Sequence, residues 1–517
     1  MTGGTAASNP GSDANRPASW VFRVGIIGLL LSIVCGAVAF AALSPALNTS
    51  DEIAHLDYAY QVWHGQLPVF EHGLLFRPPV RNIPPVQWEA QHPPLFYLLA
   101  APIVGPLING GHWLAATMAG RGLCVLIAAA CVLALSWAGS LVSTRRRVAW
   151  AITVPAVVSP VALFMRVGGS FYLDNLATFF TALALGISIL SVRYGVTLKR
   201  TVIAAVLAAA GMLTDASFAV TVLVAAGALG LAVLMHDGSS RWVRIGRSVA
   251  IGVVPVLAAG AASGWFYLRN KHLTGNYTGS HPVWSRVHLH RVTFTFWHVA
   301  TSSPFWKGNL ELFRQGGGAL ENNLGPILLA VTVGCAVIGW LLRLLPARRK
   351  PVNPGLAAVG LVLFMQALGT VISEIGFTTS GGSINTRYLL PALLPLGCLL
   401  AAGILALPRK VRAPALAVFL VITWGFFVRW AWTQPVLSGS RWSGRTVNHV
   451  PSALVLTAFV GLAVGVLAQA VALAAATDSL DRSDLCGPSP SALGRDGKHR
   501  EQQIRASQQY SGDQSHQ

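Results

Sequence analysis

Residues 48–97 gather the side chains of this chain that can do chemistry. Asp51 and Glu52 stand side by side just after an apolar run over 21–43, and His55, Asp57, Tyr58, Tyr60, Trp63 and His64 follow. The stretch closes on Glu89, His92, Pro93 and Pro94, where a second apolar run begins. Carboxylates at a bilayer edge cost free energy unless they engage a partner, so the pair reads as a functional site. On a helix, residues 51 and 55 lie one turn apart on one face, so Asp51 and His55 can share a ligand. Two plainer readings compete. Trp and Tyr at a membrane surface are ordinary interfacial residues, and Ser50 or Asp51 can cap a helix by accepting from its free N–H groups. Capping and chemistry are compatible.

The elements that must position these groups follow from composition. The chain has 517 residues, 53% hydrophobic and 11% charged, against about 25% charged in a soluble domain. Apolar runs of about twenty residues recur throughout, which reads as an all-α polytopic membrane protein. The net charge of +19 does not call for nucleic acid. The basic residues sit in short clusters between apolar runs, as the cytoplasmic loops of membrane proteins do. Cys35, Cys124, Cys131, Cys335 and Cys398 fall inside apolar runs and Cys486 in the polar tail. No spacing among them suggests a metal or disulfide framework.

Charge sets the expected topology. Arg16 and Arg23 place the start of the first helix, 21–43, in the cytoplasm, so Asp51 and Glu52 emerge outside. Arg145, Arg146 and Arg147 belong inside, which leaves residues 93–118 no room to cross. They read as a juxtamembrane or re-entrant element broken by Pro102 and Pro106, with the second span at 119–142. The apolar stretch 201–235 reads as two short helices meeting outside near Asp215, because a single helix would exceed the ~20 residues that a bilayer takes. Counting the runs at 148–165, 172–192, 249–268, 324–345, 355–375, 388–407, 414–430 and 451–475 gives about 12 spans, with outer loops at 44–118 and 269–324. Residues 1–20 and 476–517 are polar and read as disordered cytoplasmic segments flanking one transmembrane domain, 21–475. In this arrangement the acids between 51 and 375, Asp237 excepted, fall on the outer side. The histidines at 281, 288, 290 and 298 match no ligand spacing, and Gly316-Gly317-Gly318 reads as a flexible turn, too weak a signal for a phosphate loop.

The pattern DE-x-A-H-x-x-Y-A at 51–59, followed by HPPLFY at 92–97, resembles the GT-C superfamily of membrane glycosyltransferases. Protein O-mannosyltransferases, aminoarabinose transferases and bacterial relatives belong to it. Arg387-Tyr388-Leu389-Leu390-Pro391 is similar to the family's R-Y-x-x-P segment. The resemblance spreads over most of the membrane region. It implies juxtamembrane helices in the first outer loop, a cytoplasmic-membrane location, and transfer of a hexosyl or pentosyl group outside that membrane. The implied donor is a polyprenyl-phosphate sugar and the implied acceptor a cell-wall glycan, lipid or protein. By the same resemblance Asp51 is the general base, and Glu52 and His55 orient it or bind a metal. A divalent cation is compatible with such a site, and no cofactor is assigned. Arg387 grips the donor phosphate, as a planar guanidinium can do bidentately, with Tyr388 and His92 beside it. His92 alternatively only shapes the HPP turn, and Asp174 and Asp215 either support the site or cap helices. The chain departs from the pattern in carrying Asp-Glu where several members have two aspartates, and Thr386 where others have Gly. Two other functions fit the composition: a transporter or lipid flippase built around the broken segments 93–118 and 201–235, and a non-catalytic scaffold of the same fold.

Overall fold

The computed structural model describes residues 19–315, 319–344, 353–384, 386–438 and 444–485. The glycine turn at 316–318, the basic cluster at 348–350, Cys486 and the polar termini 1–18 and 486–517 lie outside the described residues. In chain order the helices are α1 (Ser19–Leu43), α2 (Ser50–Trp63), α3 (Leu95–Asn109), α4 (Trp113–Ser140), α5 (Arg147–Val158), α6 (Ala162–Gly168), α7 (Asp174–Tyr194), α8 (Leu198–Met212) and α9 (Ala219–His236). They continue with α10 (Arg241–Thr274), α11 (Pro282–Leu289), α12 (Phe296–Thr301), α13 (Ser303–Leu310), α14 (Ala319–Leu344), α15 (Pro354–Thr379), α16 (Leu393–Ala406), α17 (Arg409–Thr433) and α18 (Ser452–Leu485). Strands are confined, among the described residues, to a small hairpin, Val436–Ser438 against Arg445–Thr446. The chain is an all-α, multi-pass membrane protein.

Among the described residues ten helices are long and apolar enough to cross a membrane, eleven if α5 and α6 count as one span bent by 83°. The bend falls at Pro160, which has no N–H to continue the helical ladder. The remaining expected span is α8, whose 15 residues fall short of the ~20 needed to cross hydrocarbon. The helical hairpin around Asp215 takes the expected place, with a short 3₁₀ turn at Ala216–Phe218 between α8 and α9. In the first loop the boundary differs from expectation. The broken element is α3, and Gly110 and Gly111 end it, Gly111 with φ of 77°. The next span then starts at Trp113, because residues 113–118 are helix-forming and continue the apolar run. At the chain ends, α1 begins at Ser19 and α18 runs past 475 to Leu485.

Close packing of α1 on α18 fixes the helix that carries the site. A Cβ added at Gly28 would meet the Gly465 carbonyl oxygen at 2.8 Å, and one at Gly465 would meet the Gly28 oxygen at 2.7 Å. Small residues permit this approach in membranes, where packing and hydrogen bonds replace the hydrophobic effect. Gln469 of α18 donates to the Gly28 carbonyl at 3.1 Å and to Ser32 Oγ at 2.9 Å. Above this seam Asn448 donates to the carbonyls of Ala41, Ala42 and Ser44 and accepts from Ala46 N–H. The end of α1 is thereby held where α2 begins.

The two ends of the bundle differ in charge. At one end Arg146 donates to the Leu405 carbonyl, Arg193 to that of Val142 and Arg412 to that of Leu407, while His236 meets the Val192 carbonyl. Arg200 donates to Gly195, and Arg247 pairs with Asp237, at this same end. The opposite end holds the starts of α2, α7 and α9 and the segment before α16, and with them the carboxylates of the 48–97 stretch.

Candidate active site

Arg387 is the centre of the site. It lies in the 3₁₀ turn Thr386–Ala392, which precedes α16. Its Nη1 lies 3.2 Å from Asp51 Oδ2 and its Nε 3.4 Å from Asp174 Oδ1. The guanidinium carbon lies over two aromatic rings, 5.2 Å from the centroid of Tyr172 and 5.3 Å from that of Tyr388. One cation thus serves two carboxylates that lie far apart in sequence. Asp51 is free to do so because the helix cap belongs to another residue. Thr49, rather than Ser50 or Asp51, accepts from Glu52 N–H, at 3.2 Å. Of the three charged groups Asp51 reaches water best, at 37% exposed against 11% for Arg387 and 15% for Asp174.

Glu52 points the other way. Its carboxylate accepts from Arg121 Nε and Nη2, each at 2.8 Å, from Leu47 N–H and from Phe171 N–H. Arg121 also donates to the carbonyls of Ala41, Ser44 and Pro45. Both partners are buried. These four donors turn the Glu52 carboxylate away from Arg387, and of the roles expected for Glu52 they leave it that of orienting Asp51. It latches the α1–α2 junction to α4, and this latch sets the position of its neighbour. Glu52→Gln keeps the shape but leaves the buried Arg121 without its counter-charge. We expect a loss of about 2 kcal/mol in stability, read as a lower melting temperature in detergent. An unchanged melting temperature would show that the latch is dispensable.

A second cluster adjoins the first. His92 presents Nε2 to Glu89 Oε2 at 3.0 Å and Nδ1 to Asp215 Oδ2 at 3.3 Å. Asp215 also accepts from Ser217 N–H at 2.6 Å, which caps the turn before α9. Burial disfavours the His92 charge, but the two carboxylates outweigh it and raise its pKa to about 10. Burial likewise pushes Asp215 up, and the bonds from His92 and Ser217 more than reverse it, leaving Asp215 below the usual carboxylate range. Glu89 is held above that range, chiefly by burial. His55 Nε2 stands 3.7 Å from Glu89 Oε2, and its Nδ1 bonds the Tyr97 hydroxyl at 2.8 Å. Burial, then the nearby His92 and Arg387, keep His55 well below the ordinary histidine value and so neutral. The His55 ring meets Tyr172 edge-on at 5.0 Å, and Tyr172 underlies Arg387, so the two clusters form one continuous site.

Asp57 ties the loop between α2 and α3 back onto α2. Its carboxylate accepts from Gln61 at 2.7 Å, Gln87 at 2.5 Å and Phe76 N–H at 2.7 Å. Burial raises its pKa to about 6 despite these bonds. Tyr58 stacks on Tyr97 at 3.6 Å and donates to the His92 carbonyl, which fixes the HPP turn.

The structure brings Asp51, His55, His92, Asp174, Asp215, Arg387 and Tyr388 together and turns Glu52 aside. It adds Glu89, Arg121 and Tyr172, which sequence reasoning gave no role. A lone arginine inside the apolar run after residue 113 and a lone glutamate before HPP were the available signals. Among the described residues no group of three or more His, Cys, Asp and Glu is disposed to hold a metal ion. Two histidines of the 269–324 loop pack on rings: His281 stacks on Phe70 at 3.6 Å and His288 on Trp284 at 4.6 Å. A cavity of about 490 Å³ lies not over Asp51 but beside the start of α4, lined by His112, Trp113, Met118 and Asn448 among others.

No protein-family model matches the chain, and no curated protein matches it in sequence. Among solved structures it is similar to ArnT from Cupriavidus metallidurans bound to undecaprenyl phosphate, at 14% identity and a TM-score of 0.44, over 89% of this chain and 77% of that one. It is also similar to the oligosaccharyltransferase AglB from Archaeoglobus fulgidus in complex with an inhibitory peptide and a dolichol-phosphate, at 11% identity and a TM-score of 0.41, over 89% of this chain and 56% of that one.

Proposed function

We propose that this protein transfers a sugar from a polyprenyl-phosphate donor to an acceptor hydroxyl outside the cytoplasmic membrane. The observation that carries the reading is the contact of Asp51 with Arg387 at 3.2 Å, which sets a proton acceptor beside a phosphate-gripping cation. The acceptor oxygen attacks the anomeric carbon, and the bond from that carbon to the phosphate oxygen breaks. Asp51 takes the hydroxyl proton. Arg387 receives the charge that develops on the departing lipid phosphate, with Tyr388 and Tyr172 holding its plane. His55, His92, Asp174 and Asp215 support this arrangement.

Charge supports the outer placement. The arginines at 145–147, 193, 200 and 241–247 share the end opposite the site, and basic loops stay in the cytoplasm. Cysteines placed at Arg146 and Ala300 are expected to react with a membrane-impermeant thiol reagent from opposite sides of the membrane. Labelling of both from one side sinks the topology. A transporter would bury its ionisable residues at mid-membrane, whereas here they gather at one end, which favours the transferase. The direct test is release of labelled sugar from a polyprenyl-phosphate donor by purified protein, with no transfer above a boiled control counting against the reading.

A further inference from the structure

The loop between α10 and α14 presents a surface that the chemistry at Arg387 does not use. From 238 to 310 the chain carries no Asp or Glu, while Arg269, Lys271, Arg286, Arg291 and Lys307 all fall between 269 and 310. The end of a bundle opposite its basic cytoplasmic loops normally carries few Lys and Arg. A basic loop without acids at that end calls for a partner of opposite charge. The same loop leaves large apolar side chains in the open. Trp297 is 74% exposed, Val283 62% and Val287 61%, with Val292, Phe294 and Phe296 exposed as well. None of the residues of α11 is buried. A surface in water rarely keeps so many large apolar groups exposed.

The height of the loop indicates what covers it. Phe294 N–H donates at 3.1 Å to the carbonyl of Thr379, the last residue of α15, and Val299 and Phe305 pack with Ile375, one turn lower. With 26 residues at 1.5 Å each, α15 is about 39 Å long, against about 30 Å of hydrocarbon and about 40–45 Å with headgroups. Its end therefore reaches the headgroup layer, and Ile375 the boundary with the acyl chains. Contact with Ile375 holds α12 at that depth. Trp297 stands two residues from the buried Val299, about 200° round the helix, so it points away from the protein. Tryptophan rings are enriched at this depth in membranes. Arg286 and Lys307 are exposed on the neighbouring helices α11 and α13.

We propose that α11, α12 and α13 form a seat for anionic phospholipid in the leaflet at the site's end of the bundle. Phe296 and Trp297 enter the acyl boundary, and Arg286 and Lys307 meet the anionic headgroups. A soluble polyanion would be drawn by the same charges, but it would leave the apolar side chains in water. The seat does not depend on what the site transfers.

The test places benzoylphenylalanine at position 297 of the full chain, an aromatic for an aromatic. The protein is reconstituted in nanodiscs of equimolar phosphatidylglycerol and phosphatidylcholine and irradiated, and mass spectrometry identifies the lipid joined to it. Phosphatidylglycerol is expected to be captured about fivefold or more over phosphatidylcholine, the size of one basic side chain's attraction to an anionic surface. Salt at about 0.5 M should collapse this preference, because exposed charges are then screened within a few ångströms, while total lipid capture stays. Arg286→Gln combined with Lys307→Gln should do the same at low salt. Absence of captured lipid would show that residue 297 faces water and overturns the inference. If added polyglutamate is captured instead, the surface serves a soluble acidic polymer. Equal capture of the two lipids by the parent chain also overturns it, as does a preference that survives salt and the double substitution. Should the double variant fail to fold, the salt response of the parent chain decides by itself.

Discussion

Asp51→Asn is expected to cost about 10²–10⁴-fold in the rate of sugar transfer, the usual size of a lost general base, while donor binding holds or tightens. The two effects have one cause. The carboxylate is both the proton acceptor and the competitor of phosphate for Arg387 Nη1, from which it stands 3.2 Å. Asparagine keeps its volume and a weaker bond to the guanidinium, but it can neither take the proton nor repel an incoming anion. Single-turnover transfer and equilibrium donor binding, measured on the same preparation, separate the two. A purely structural aspartate would lose both together or neither. Transfer at the wild-type rate would show that another group is the base. Asp174 is then the next candidate, since it shares the same cation, ahead of Glu52, whose carboxylate already accepts from four donors.

Local features of the chain were legible in its sequence, and tertiary pairing was not. Apolar runs and basic clusters are local signals, so most spans, the hairpin within 201–235 and the existence of a broken element after residue 93 follow from the residues alone, whereas the end of that element, at Asn109 rather than 118, does not. Asp51 and Arg387 are nominated by the motifs that resemble the GT-C superfamily, and Asp174 and Asp215 by standing at helix ends where the same resemblance implies further acids. Asp51 and Glu52 are adjacent and chemically alike, yet at 3.6 residues per turn adjacent helical residues point about 100° apart, and the tertiary partner decides their fates. One faces Arg387 and the other Arg121. Arg121 itself reads as the start of a span, because a guanidinium in an apolar run carries no mark of the carboxylate it meets. Glu89 gives no sign of its part for the same reason, since its role depends on a histidine three residues later and an aspartate from a different hairpin. Thr49 took the helix cap expected of Ser50 or Asp51. That shift of one residue leaves Asp51 available to the site.

Removing Arg387 should have consequences that no other single change in the site shares. Arg387→Ala leaves Asp51 and Asp174 without the cation that both face at 3.2 and 3.4 Å, and breaking a buried pair from one side costs about 3–5 kcal/mol. Loss of stability alone would then mimic loss of function, so the informative comparison is between variants. Arg387→Ala combined with Asp174→Asn relieves the uncompensated charge and is expected to recover much of the stability. It should still neither bind the lipid phosphate nor transfer sugar, because the grip on phosphate is gone in the ground state and the transition state alike. Arg387→Lys keeps the charge and the fold but loses the planar fork and its contacts with the rings of Tyr172 and Tyr388, so binding should recover only in part and transfer less than binding. Melting temperature, donor affinity and transfer rate should therefore rank the three variants differently. Should the double variant regain donor binding along with stability, Arg387 is a structural counter-ion and the phosphate is held elsewhere, with His92 the nearest remaining cation.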